Sequence, residues 1–421
     1  MDAMVVTGGN RLVGRVRAGG AKNAALPIMA ASILADGPMR LRGVPDLADI
    51  RTMGRLLTAL GVRVERKPGG DMVLQSRRGG SCVAPYDIMR TMRAGVCVLG
   101  PLVARRGRAE VSLPGGCAIG DRPVDLHMKG LRALGARLAV EHGYIVGSCR
   151  RLKGAEMYLG GPFGSSVTGT ANILMAAVLA KGTTVVDCAA CEPEVQDLAC
   201  VLAKMGARIE GIGSPRLVIE GVEGLSGCEH TVIPDRIEAG TLLLAGLVTR
   251  GDVTVEGARW NDLFALVHTL REAGATVEHF DDTIRVRAKR RPRSVDVTTL
   301  PFPGFPTDLQ AQMMAALTVA DGISVVTEKI FPDRFMHVAE LGRMGARIRK
   351  EGNAAVVHGT RRLSGAPIMA SDLRASAALV IAGLVAEGRT TISRVYHLDR
   401  GYERLERKLR RLGADIRRIK Q

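Results

Sequence analysis

The chain has 421 residues and a mass of 44.8 kDa, with 46% hydrophobic residues; that is more than one core covers, so two domains are expected. Mean hydropathy is +0.11. No apolar run approaches the ~20 residues of a bilayer span and no secretory signal opens the sequence, so no membrane role and a cytoplasmic location are expected. Lys and Arg number 59 against 42 Asp and Glu, a surplus of +17 that points to nucleic acid or anionic small molecules; with only 3% aromatic residues there is little for base stacking, which favours small anions.

In chain order, Gly19-Gly20-Ala21-Lys22-Asn23 opens an apolar helix over 24–34, followed by Gly37 and a strand. A second helix ends at Leu60-Gly61-Val62, and a strand follows. That phrase returns around Gly135, Gly206, Gly274, Gly345 and Gly413, at spacings of roughly 70 residues, and a companion series runs through Gly107, Gly182, Gly251, Gly322 and Gly388. Each unit reads helix, glycine stop, strand, loop, helix, glycine stop, strand. The period exceeds the ~20–50 residues of solenoid repeats. Six units in two domains give three per domain, with a break near 231–233.

The remaining apolar helices begin near Arg93, at Ser166-Val167-Thr168, at Asp235-Arg236-Ile237-Glu238, at Thr307-Asp308-Leu309-Gln310 and at Ser371-Asp372-Leu373-Arg374. Ser, Thr and Asp suit helix caps, and the Asp235 and Thr307 phrases have capping-box spacing. Lys22, Arg93, Arg236 and Arg374 do not suit a first turn, where a cation opposes the helix dipole by ~0.3–1 kcal/mol. Their recurrence implies compensation by a bound anion, with the helix starts converging on a positive face in each domain and the two faces lining a cleft.

Three loops carry candidate chemistry. Leu113-Pro114-Gly115-Gly116-Cys117-Ala118-Ile119-Gly120-Asp121-Arg122 follows a strand over 109–113; Cys117 is either a reactive thiol, lowered by a folded-back Arg122, or an unreactive surface thiol. Pro301-Phe302-Pro303-Gly304-Phe305-Pro306 braces Asp308, as a general base or as a residue at a helix start. Arg334, Arg374 and Arg400 together have the character of a carboxylate or phosphate clamp. Cys188-Ala-Ala-Cys191 has the spacing of a metal pair but no second pair or nearby His, so no metal site is expected; the cysteines in apolar stretches act as small hydrophobes.

Six motifs in order, Gly20-Ala21-Lys22-Asn23-Ala24-Ala25-Leu26-Pro27, the 113–125 loop, Phe305 to Gln310, Asp333 to His337, Asp372 to Ala377 and His397 to Arg404, resemble those of the UDP-N-acetylglucosamine 1-carboxyvinyltransferases, within the enolpyruvyl transferase family. The resemblance implies two inside-out α/β domains, each of three repeated βαβαββ-like units. It places residues 22–232 in the first, with the Cys117 loop, and 1–21 plus 233–421 in the second, with Asp308 and the arginine clamp. It implies transfer of the enolpyruvyl group of phosphoenolpyruvate to the 3′-hydroxyl of UDP-N-acetylglucosamine, in peptidoglycan synthesis, without cofactor, metal or nucleic acid. By resemblance Cys117 is the general acid toward the enol methylene and the target of fosfomycin. Asp308 handles the sugar hydroxyl proton; Lys22, Arg122 and Arg400 contact phosphoenolpyruvate; Arg334 and Arg374 complete the anion site. Asn23, Arg93, Arg122, Pro123, Val124, Asp125, Leu126, Ser166, Val167 and Ile330 fall on positions that contact the nucleotide sugar. One stretch departs: Thr168 stands where the family has Gly after Ser-Val, and the usual basic residue before it is absent. That leaves a second reading, an enolpyruvyl transferase for a nucleoside phosphate or shikimate 3-phosphate.

Overall fold

The computed structural model describes residues 2–77, 79–113 and 124–420. The chain divides into two compact units, one of Met1–Gly19 with Pro234–Gln421, the other spanning Gly20 to Ile233 over its described residues. Each unit has its own hydrophobic core.

The repeat is a four-stranded sheet with two helices. In Val297–Thr298, Ile323–Thr327, Arg347–Glu351 and Ala354–His358, the first strand runs parallel to the second, and the fourth lies antiparallel between second and third. Six four-stranded sheets are present among the described residues. Three are completed by strands distant in sequence. Glu229–Thr231 pairs parallel with Met39–Arg42, Val13–Arg17 pairs parallel with Asp252–Glu256, and Asp2–Thr7 lies between Arg389–Ser393 and Asp415–Lys420.

The helices that precede the second strands form the interior. Arg236–Val248 is buried from Ile237 onward, Gln310–Leu317 throughout, and Leu373–Gly383 from Arg374 onward. In the other unit Lys22–Ala31 is buried except at Asn23, and Val167–Ala177 from Gly169 onward. Helices apolar on all sides must be enclosed, and the sheets enclose them with one face, as the alternating burial of Asp252–Glu256 shows. This is the expected inside-out arrangement.

Gly61, Gly135, Gly206, Gly274, Gly345 and Gly413 all have positive φ, between 84° and 110°. In five copies the N–H of the next residue (Ala136, Ala207, Ala275, Ala346, Ala414) bonds back to a carbonyl inside the helix at 2.9–3.1 Å, a Schellman ending whose left-handed position favours glycine. The recurring phrase is therefore a helix stop in every repeat.

Candidate active site

In the unit that carries it, Asp308 lies in a short 3-10 turn, Thr307–Leu309, before the Gln310–Leu317 helix. The proline-rich approach is closed by Leu300 N–H to the Phe305 carbonyl at 3.0 Å. The expected T-x-x-Q capping box does not form. Thr307 Oγ1 instead donates to Glu328 Oε2 at 2.9 Å, and Asp308 turns its carboxylate toward two arginines. Arg374 Nη2 lies 2.7 Å from Asp308 Oδ2 and Arg334 Nη1 2.8 Å from Oδ1. The side chains of Arg374 and Arg334 are 3% and 6% exposed, that of Asp308 24%. Burial alone would raise the Asp308 carboxyl, but Arg374 and then Arg334 outweigh it and hold Asp308 well below the ordinary carboxylate range. Burial also opposes the Arg374 charge, and Asp308 more than restores it.

Other helix starts contribute. Asp372 caps the Leu373–Gly383 helix, accepting from the N–H groups of Arg374 and Ala375. Asp235 caps Arg236–Val248 through Ile237 and Glu238 N–H; the reciprocal half of that capping box is missing, since Glu238 accepts from Gly19 N–H and Lys408 instead. Tyr402, 1% exposed, lies under the Arg374 guanidinium at 5.5 Å, and its hydroxyl meets Thr241 Oγ1 and Gln312 Nε2, both at 2.9 Å. Gln312 Nε2 also donates to the Asp308 carbonyl at 2.9 Å. Arg374 Nη1 and Arg334 Nε are buried with no hydrogen-bond partner among the described residues. Arg400 ends the Val395–Arg400 3-10 helix, half-buried; burial and then the Arg400 charge lower His397, against the pull of Asp372. Arg236 lies 5.7 Å from the Phe302 ring, and Ile330 is half-buried with its N–H on Glu328.

The other unit holds the remaining described candidates. Lys22 is 8% exposed and its Nζ lies 3.0 Å from Asp49 Oδ2. Lys22 is thus compensated inside the chain by Asp49 and Arg374 by Asp308, which corrects the expectation that a bound anion compensates these helix-start cations. Asn23 and Asp125 are exposed, while Arg93, Val124, Leu126, Ser166 and Val167 are half-buried. Ser166 caps the Val167–Ala177 helix through Gly169 N–H. Cys117, Arg122 and Pro123 lie outside the described residues. Of the other seven cysteines only Cys97 is buried, and burial pushes its thiol to about 12.

Thr168, at the departure from the family pattern, meets a buried polar chain. Its Oγ1 lies 3.2 Å from His127 Nε2, and His127 Nδ1 lies 2.7 Å from Asn172 Nδ2. The Asn172 amide is oriented by the Val96 carbonyl and the Gly100 N–H, so its nitrogen faces His127. His127 Nδ1 must then accept, and Nε2 carries the proton toward Thr168. Burial, opposed by Asp125, lowers His127 to about 4, so the ring is neutral.

Sequence reasoning missed Asp49, Glu328, Gln312, His127 and Asn172. These are common residue types without motif spacing; only a buried polar residue inside an apolar helix, as at Asn172, offered a signal.

Residues 6–409 match the protein family described as EPSP synthase (3-phosphoshikimate 1-carboxyvinyltransferase). The chain belongs to that family. It is 55% identical over 422 residues to a UDP-N-acetylglucosamine 1-carboxyvinyltransferase of Myxococcus xanthus, covering 100% of both chains. The enolpyruvyl transferase NikO of Streptomyces tendae has a similar structure, with a TM-score of 0.88, 25% identity and 99% of both chains covered. An EPSP synthase from Acinetobacter baumannii shares the fold at a TM-score of 0.79, with 19% identity and 100% of both chains covered. The fold is therefore that of the enolpyruvyl transferases, as the repeat and the motifs implied.

Proposed function

We propose that the protein transfers the enolpyruvyl group of phosphoenolpyruvate to the 3′-hydroxyl of UDP-N-acetylglucosamine, releasing phosphate and serving peptidoglycan synthesis. The observation that carries this reading is the 55% identity, over the whole of both chains, to a protein of that name. The reading that the acceptor is shikimate 3-phosphate or a nucleoside phosphate has less support.

The chemistry sets what the site must supply. Exchanging phosphate for a sugar oxygen at C2 of an enol requires transient protonation of the methylene carbon, removal of the proton from the attacking hydroxyl, and loss of a methyl proton as the C2–O bond to phosphate breaks and the enol is restored. Cys117 is assigned the first task and Asp308 the second. Lys22, Arg122 and Arg400 are assigned to phosphoenolpyruvate, with Arg334 and Arg374 completing the anion site. Asn23, Arg93, Val124, Asp125, Leu126, Ser166, Val167 and Ile330 are assigned to the nucleotide sugar. Asp308 clamped by two guanidiniums is a weak base. The unpartnered Arg374 Nη1 and Arg334 Nε supply donors for an incoming carboxylate or phosphate, and an anion that draws the guanidiniums to itself raises the proton affinity of Asp308. Substrate binding thereby switches on the base.

Folded protein should release phosphate only when phosphoenolpyruvate and UDP-N-acetylglucosamine are both present. No release under those conditions refutes the proposal, and faster release with shikimate 3-phosphate or a nucleoside phosphate as acceptor moves it to the second reading.

A further inference from the structure

Glu328 is fully buried and carries a carboxylate whose partners are all neutral donors. Its Oε1 accepts from Thr299 Oγ1 at 2.7 Å, from Ile330 N–H at 2.8 Å and from Phe331 N–H at 3.0 Å; Oε2 accepts from Thr307 Oγ1 at 2.9 Å. Four donors on one buried carboxylate satisfy it without a cation.

We infer that Glu328 is a positioning residue for the proposed transfer, holding the Arg334 guanidinium against Asp308 through the Thr307 hydroxyl and the Phe331 ring. A threonine hydroxyl has one proton, and that of Thr307 is committed to Glu328. Thr307 Oγ1 therefore presents lone pairs to its other neighbour, Arg334 Nη1, at 3.0 Å. The same Nη1 reaches Asp308 Oδ1 at 2.8 Å, so its two protons divide between Thr307 and Asp308. The second route runs through the backbone. Glu328 fixes the N–H of Phe331, and the Phe331 ring lies 5.7 Å from the Arg334 guanidinium carbon, in cation–π range. Arg334 is thus oriented by a hydroxyl and a ring that answer to one carboxylate, which leaves Nε as its unpartnered buried donor.

Glu328→Gln preserves size but turns an amide N–H₂ toward Thr307. The Thr307 proton loses its acceptor and turns to the guanidinium side, where it opposes Arg334 Nη1. Thr307→Val removes the hydroxyl and leaves Glu328 in place. Because displacements of about 1 Å in a reacting array can cost up to ~100-fold, each variant should lose roughly tenfold or more in kcat. The double variant should be no worse than the poorer single one, since both cut one chain; independent stabilising roles would multiply. Thr307→Ser, which keeps the hydroxyl, should restore most of the rate. Should Glu328→Gln not fold, the comparison of Thr307→Val with Thr307→Ser carries the same test.

The inference rests on the proposed transfer, and crystal structures of the variants separate the two. In Thr307→Val and Glu328→Gln, Arg334 Nη1 should lie beyond hydrogen-bond reach of Asp308, more than ~3.5 Å. An unmoved Arg334, or kcat within about twofold of wild type in both single variants, overturns the positioning role. Wild-type protein that releases no phosphate overturns the transfer, and the crystal structures still decide the geometry.

Discussion

Replacing Asp308 with Asn removes one negative charge and little volume. It leaves Arg374 and Arg334, with side chains 3% and 6% exposed, facing an amide that neutralises neither. Taking one partner from a buried ion pair typically costs about 3–5 kcal/mol, because the remaining charge stays desolvated. For a folded unit of this size 1 kcal/mol corresponds to roughly 2–4 °C, so Asp308→Asn should lower the melting temperature of that unit by roughly 6–20 °C at pH 7. The pH dependence has a definite sign. The Asp308 carboxyl lies below its unfolded value, so its stabilisation is complete above the ordinary carboxylate pKa of about 3.9 and is lost as pH falls through the lower folded value. The gap between wild type and variant should be constant from about pH 5 upward and narrow below about pH 4. Millimolar phosphate should raise the melting temperature of the variant more than that of wild type, since guanidiniums no longer paired with a carboxylate hold an added anion more tightly. Calorimetric scans across pH measure all three. A variant that melts within about 2 °C of wild type at pH 7 would refute the claim that this carboxylate compensates two buried cations.

Lys22→Met should destabilise the other unit by about 1.5–3 kcal/mol by removing the charged hydrogen bond of Lys22 Nζ to Asp49 Oδ2 at 3.0 Å; denaturant titration checks it. His127, lowered to about 4, should remain the Nε2-protonated neutral tautomer from pH 8 to 5 by nitrogen NMR, while the protein loses stability as pH falls from the unfolded value of about 6.5 toward 4. Tyr402→Phe removes the hydroxyl that meets Thr241 and Gln312, and should cost about 1–2 kcal/mol along with a lower kcat. Mass spectrometry after thiol labelling at pH 8 should find Cys200 modified and Cys97 protected, given their exposed and buried positions, and fosfomycin should modify Cys117.

How much of this protein the sequence determines depends on the range of the cause. Six glycine stops are visible as a spacing because each left-handed glycine at a helix end is settled by neighbours within one helical turn. The inside-out layering is legible for a similar reason, since helices such as 236–248 lack a polar face. The caps at Asp235, Asp372 and Ser166 are local as well, whereas Thr307 breaks the pattern because its hydroxyl donates to Glu328 and accepts from Arg334. Charge partners are another matter. Among 59 basic residues the sequence marks Arg374 as a cation in a first helical turn but not its partner; packing Leu373–Gly383 beside Gln310–Leu317 brings it to Asp308, 66 residues away. The same holds for Glu328, whose four donors share one buried point only after the sheet and its following loop have closed around Thr307. Local conformation is written in short stretches of chain, whereas the partner of a buried charge is chosen by desolvation in the assembled core, where a charge left uncompensated costs several kcal/mol.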